Sequence, residues 1–205
     1  MNGEIYNTRG FMRVLVGCEE SQEICKAFRA RGHDAFSCDL KPCSGGHPEW
    51  HIIGDVRTYL YGNKWDLFIV HPPCDHIAVS GARYFKEKVA DGRQGKAIAF
   101  FMEMTDAPVV KVCIENPVGI MSTLYRKPDQ YIEPYQFGHP ETKKTCLWLK
   151  GLPKLVETNN VYEDMMKLPV NIRNRIHYMP PSKTRAADRA RTYTGWATAM
   201  AEQWG

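Results

Sequence analysis

Five short apolar runs divide the chain, and each is closed by glycine, proline or a charged residue. Arg13–Gly17 ends in glycine, Ala35–Cys38 ends at Asp39, and Leu67–Val70 runs into Pro72 and Pro73. Val109–Ile114 leads into Glu115-Asn116-Pro117-Val118-Gly119, and Thr145–Leu149 is bounded by Lys143, Lys144 and Lys150. Short β-rich runs of this kind read as buried strands. Between them, apolar positions recur at helical spacing. Ser21 stands where an N-cap belongs, ahead of Ile24, Ala27 and Phe28, with Gly32 as the stop. Gly92–Asp106 carries Ala97, Ile98, Phe101, Met102 and Thr105 on one face, which is core rather than a cofactor box. Thr194–Trp204 carries Ala197, Met200, Ala201 and Trp204 in the same way. Strands alternating with helices predict an α/β fold, a mostly parallel sheet with helices on both faces. Residues 1–11 read as a loose polar tail and residues 12–205 as a single domain. From about 150 to 191 the chain is turn-rich, and its pattern assigns no element.

The opening β-α-β segment has the size of a parallel unit. Gly17 at the end of its first strand lets the backbone approach a ligand, and Asp39 at the end of its second is placed for ribose hydroxyls. The dinucleotide fingerprint is absent, because Gly17-Cys18-Glu19-Glu20-Ser21 has one glycine. An acidic loop would repel a pyrophosphate; it suits a nucleoside whose chain carries an amine or a sulfonium. Further on, Pro72 and Pro73 stiffen the turn that carries Cys74 away from a strand end. Glu115 follows the next strand, 41 residues later, after one helix. Strands so connected are commonly neighbours in a sheet, which would bring thiol and carboxyl together. Cys43, His47 and His51 are spaced four apart, but the prolines and glycines among them argue against a shared helix face, so no metal is expected.

Composition changes this picture little. With 43% hydrophobic and 24% charged residues in 205, disorder of the whole is excluded. No apolar run is long enough to span a bilayer and the first ten residues are polar, so neither a membrane span nor a signal peptide is expected. Seven cysteines without paired spacing fit a reducing cytoplasm. Charge changes it more. Between Glu141 and Arg191 there are eleven Lys and Arg against five Asp and Glu, although the whole chain carries only +4. A basic C-terminal third is suited to a polyanion such as nucleic acid.

With these residues in place, the sequence resembles the DNA (cytosine-5) methyltransferases, over roughly Arg13 to Leu149. The matches are Gly17 in the loop after the first strand, Asp39, Gly54-Asp55-Val56, Pro72-Pro73-Cys74 and Glu115-Asn116-Pro117-Val118, in the family's order; Thr194-Gly195-Trp196-Ala197 is similar to its last motif. The resemblance implies a Rossmann-like S-adenosylmethionine-dependent methyltransferase fold and methyl transfer to C5 of cytosine in DNA. It implies Cys74 as nucleophile at C6, with a lowered pKa, and Glu115 as the carboxyl at N3, with a pKa raised by burial. It implies that Gly17, Cys18, Asp39, Leu40, Asp55, Val56 and Pro72 hold S-adenosylmethionine. Lys143 or Lys144 stands in for a basic motif of the family, and Arg173, Arg175, Lys183, Arg185, Arg189 and Arg191 are the candidates for the nucleic-acid backbone. A bacterial or phage-type protein is expected.

The chain departs from the family at Asp75, Ile77 and Ala78, where glutamine and then phenylalanine-serine are usual, and in its single-glycine first loop. Residues 150–191 form a small basic insertion in place of a large target-recognition domain. Specificity is then left to a small element, a partner or oligomer, or a substrate other than a long duplex. A free cytosine nucleotide, a donor group other than methyl, and an idle nucleic-acid-binding protein of the same fold are the alternatives. Amino-methyltransferases carry an aromatic residue after the two prolines, where this chain has Cys74.

Overall fold

The computed structural model describes residues 10–205; most of the expected polar tail, residues 1–9, lies outside the described residues. Five strands run parallel: β1 (Arg13–Gly17), β2 (Asp34–Asp39), β3 (His51–Ile53), β4 (Leu67–Val70) and β5 (Lys111–Pro117). β6 (Gln130–Ile132) and β7 (Thr145–Lys150) complete the sheet in the order β3-β2-β1-β4-β5-β7-β6, with β7 antiparallel to both of its neighbours. The helices are α1 (Glu23–Ala30), α2 (Val56–Leu60), α3 (Phe85–Ala90), α4 (Arg93–Thr105), α5 (Met121–Leu124), α6 (Tyr162–Lys167), α7 (Val170–Arg173), α8 (Arg175–Tyr178), α9 (Arg185–Ala190) and α10 (Thr194–Trp204). This is the Rossmann-like α/β fold expected from the sequence.

Alternation along the strands sends successive side chains to opposite faces. Val14, Val16, Leu67, Ile69 and Cys113 join a core with Ile24 and Phe28 of α1 and Trp196, Met200 and Trp204 of α10. Leu15, Phe68, Val70, Val112 and Ile114 join a second core with Val56 and Leu60 of α2 and Phe101 and Met104 of α4. Both faces are therefore covered, which is why the central strands are apolar throughout.

Several local expectations need correction. Ser21 does not cap α1. The residue before the helix is Gln22, in the left-handed region at φ 60°, and the capping groups are the carboxylate oxygens of Glu19, which accept from Ile24 N at 2.6 Å and Cys25 N at 3.2 Å. A longer side chain thus reaches the donors that Ser21 was expected to satisfy. Gly32 does end the helix, at φ 85°, with His33 N bonded back to Phe28 O. β5 runs on through Glu115 to Pro117, because Thr145–Lys150 pairs along that whole stretch. β3 and β6, three residues each, are too short to leave a pattern in the sequence. In the turn-rich stretch from 150 to 191 lie α6 to α9, none longer than six residues.

The sheet order reverses at β1. The connection from β1 leads outward to β2, whereas β4 lies on its other side. Loops leaving the carboxyl ends of β1 and β4 diverge there and open a crevice, the place where such sheets bind ligands. Cys18–Ser21 follows β1 and His71–Asp75 follows β4, so both loops border that crevice.

Candidate functional site

A cavity of about 300 Å³ occupies the crevice. Its floor is made by Cys18, Glu19, Glu20 and Asp39 from the first two strand ends, His71–Asp75 from the third, and Glu115–Pro117 from β5. Lys143, Arg189 of α9 and Arg191 just after it also line the cavity. Cys74 and Glu115 are thus brought to one cavity, as their strand ends predict.

Sheet register explains the pairing beneath them. Val70 of β4 is opposite Ile114 of β5, so His71 and Glu115 stand side by side one residue further on. Val70 and Ile114 face the α2/α4 core, and alternation turns the next pair to the side of α1. There Nδ1 of His71 and Oε2 of Glu115 are 2.6 Å apart, with the side chains only 14% and 12% exposed. The loop carrying Cys74 is fixed separately. Asn116 Nδ2 donates to Pro72 O at 2.6 Å, and Ala78 N and Ile77 N donate to Cys74 O. Val79 N donates to Val118 O and Ile120 N to Ile77 O, which zips the loop after β4 to the loop after β5. Lys88 Nζ holds the Asp75 carbonyl.

The charge states differ from those expected. Cys74 was expected as a low-pKa thiolate; burial instead raises its pKa to about 11, helped by the Asp75 and Glu115 charges and opposed by Lys143. The thiol is protonated at neutral pH. Glu115 was expected to be raised by burial. Burial does push it up, but the His71 hydrogen bond and charge, together with Lys143, outweigh it and hold the carboxyl below its usual range. His71 is correspondingly raised: burial disfavours its charge, and Glu115 and then Glu19 restore it. Lys143 is lowered by burial, with Glu115 and Cys74 pulling it the other way. Cys18 is likewise pushed up to about 12, by burial and then by Asp39.

The residues expected to hold the cofactor separate into two groups. Cys18, Asp39 and Pro72 line the cavity. Cys18 does so at φ 57°, a conformation that glycine would adopt freely and that turns the acidic loop toward the crevice. Gly17, Leu40, Asp55 and Val56 lie outside the lining. Gly17 is a packing glycine here, since a Cβ would come within 2.7 Å of Val56 Cγ2. Val56 is core, Leu40 is 75% exposed, and Asp55 caps α2 at Arg57 N and pairs with the Arg57 guanidinium. Among the basic residues, Lys143 and Arg189 reach the cavity, and Arg191 joins them. Lys144 does not; its Nζ lies 4.6 Å from the Tyr131 ring centroid. Arg175 is paired with Glu141 at 2.7 Å, Arg173 packs on Met166, and neither Arg185 nor the exposed Lys183 lines the cavity. The spacing of His47 and His51 is structural: His47 stacks on Trp50 at 3.8 Å, and both ring nitrogens of His51 are hydrogen-bonded, to Ser37 Oγ and Lys41 O.

Two site residues were missed by sequence reasoning. His71 was given no role, and Glu19 was read only as part of an acidic loop. Their signal was present, since one ends a buried strand and the other precedes a helix, but a buried charge pair cannot be told from an exposed one without the fold.

No protein-family model matches the chain, and no curated protein does. Solved structures similar to it include one described as a DNA modification methyltransferase encoded within an E. coli prophage, at 14% identity and TM-score 0.46, covering 78% of this chain and 56% of that one. The S. pombe Dnmt2 methyltransferase matches at 11% identity and TM-score 0.45, over 87% and 62%. An rRNA methylase from Escherichia coli matches at 14% and 0.38, over 71% and 60%. The chain spans less than two thirds of the length of each, and its functional reading rests on its own residues.

Proposed function

We propose that the protein is an S-adenosylmethionine-dependent methyltransferase acting at C5 of cytosine in DNA, through a covalent adduct on Cys74. The observation that carries this reading is the meeting of Cys74, Glu115 and Lys143 in one cavity whose other rim holds Asp39 and an acidic loop. Cytosine C5 is too weak a nucleophile to take a methyl group unaided. The Cys74 sulfur releases its proton to solvent and bonds to C6; the C5=C6 pair becomes C4=C5, the C4=N3 pair moves onto N3, which takes up a proton at Glu115, and C5 becomes an enamine carbon. Lys143 offsets the negative charge on sulfur as the proton leaves, the direction in which it already acts on Cys74.

The donor set suits the cofactor. Asp39 offers a carboxylate for the ribose diol, and Glu19 and Glu20 oppose an anionic tail but favour an amine or a sulfonium. When bound there, S-adenosylmethionine supplies an electrophilic methyl group. Arg189 of α9 also lines the cavity and is placed for a phosphate, whereas the Arg191 guanidinium is met by Glu23. A duplex substrate would present its cytosine flipped out.

An oligonucleotide containing 5-fluorocytosine, incubated with S-adenosylmethionine, should form a covalent adduct visible by denaturing gel and mass spectrometry. Cys74→Ser should abolish it. Adduct with a free cytosine nucleotide alone would move the substrate from DNA to nucleotide, and no adduct with DNA, RNA or nucleotide would remove the covalent mechanism.

A further inference from the structure

Glu115 presents a difficulty for this chemistry. A carboxylate engaged with a cation is a poor proton donor, yet N3 of the adduct needs a proton. We propose that His71 is the proton partner of Glu115, the imidazole passing a proton through Nδ1 and Oε2 to the ring nitrogen of a base bound in the cavity. The inference rests on the functional reading above and adds a positioning residue that it does not use.

Geometry supports the assignment in three ways. The Nδ1–Oε2 separation of 2.6 Å is that of a charge-assisted hydrogen bond, short enough for proton transfer without rearrangement. Nε2 is buried with no partner among the described residues, so Glu115 is the one hydrogen bond that orients the ring. Both residues line the cavity beside Cys74. The groups acting on the imidazole are Glu115 from β5, Glu19 from the loop before α1 and Lys143 from the segment before β7. Two acids against one base favour the imidazolium, which is the reservoir the step needs. A buried ion pair is also seldom worth its desolvation in stability alone, and groups so perturbed concentrate at functional sites.

The step balances. As sulfur bonds to C6 and the displaced electron pair reaches N3, the Glu115 carboxylate takes the proton from Nδ1 and passes one to N3. His71 is left neutral and the carboxylate is restored; expulsion of sulfur reverses both transfers.

His71→Asn tests this, because an amide NH2 can still donate to Oε2 but has no proton to give. Wild-type trapping of 5-fluorocytosine should be bell-shaped in pH, rising as Cys74 ionises and falling as the imidazolium is lost. The Asn variant should trap about 10²-fold more slowly and lack the falling limb. Equal rates and equal profiles would overturn the inference while leaving the covalent mechanism standing. A second readout is independent of activity: by NMR, the His71 ring of the wild type should stay protonated above the ordinary histidine range and lose that shift in Glu115→Gln. A His71 titration unaffected by Glu115→Gln would overturn the inference whether or not adduct forms, and absence of adduct with the shift intact would overturn the functional reading alone.

Discussion

The carboxyl group of Glu19 is 3% exposed and accepts from two backbone N–H groups at the start of α1. Burial pushes its pKa up from 4.5 to about 7, against the pull of the His71 charge and those two donors. An acid raised in the folded state binds more protons there than in the unfolded chain. Between about pH 4.5 and 7 its contribution to stability therefore falls as pH rises, and levels off once the folded carboxyl has ionised. Glu19→Gln, which keeps one acceptor but cannot ionise, should gain on the wild type by about 1–3 kcal/mol across that window. Urea melts of both proteins at pH 4.5, 6 and 7.5 would read this, and a constant gap between them would refute it. Cys74 belongs to the same scale. Its reactivity, like the charge of Glu19, is set by what surrounds it rather than by its residue type.

Among the elements, the loops after β4 and β5 act as one unit. Ala78 and Gly119 form an antiparallel bridge, and a Cβ on Gly119 would stand 2.3 Å from Ile77 O and 3.1 Å from the Ala78 Cα. Both obstacles are backbone, so Gly119→Ala cannot be accommodated by turning a side chain. It should destabilise the fold by about 1–3 kcal/mol and, by spreading the two loops, slow adduct formation more than binding. Calorimetric melting and single-turnover trapping would separate the two effects, and an unchanged melting temperature would show that the loops are not zipped. β7 matters in another way. Because it runs antiparallel, its first residues lie at the carboxyl ends of the parallel strands, Thr145 opposite Pro117, and this delivers Lys143 beside Glu115.

At the scale of the molecule, the basic third of the chain is not one surface. Arg189 and Arg191 line the cavity and Arg175 is paired with Glu141. Arg191 also meets Glu23 at 3.3 Å, and its carbonyl accepts from Lys143, which ties the end of α9 to α1 and to the site. If DNA crosses the cavity mouth, Arg189→Ala should weaken binding at every sequence and flatten the slope of log K against log salt by about 0.9. Arg175→Ala should change that slope by less, since its charge is already met. Fluorescence anisotropy across a salt series would decide, and equal slopes for Arg189→Ala and wild type would place the backbone elsewhere.

The sequence by itself determined the order of strands and helices around the site, and the positions of Cys74 and Glu115, because apolar runs, prolines and glycines act locally on the backbone that carries them. The tertiary structure alone decided the rest. It chose Lys143 over Lys144, set Asp55, Val56 and Leu40 aside from the cavity, brought α9 to the cavity, and made partners of His71 and Glu115. Those choices depend on register between distant segments, on burial and on which charges meet, and together these set the proton on a thiol, a carboxyl or an imidazole. No local pattern in a chain records how deeply a side chain will lie.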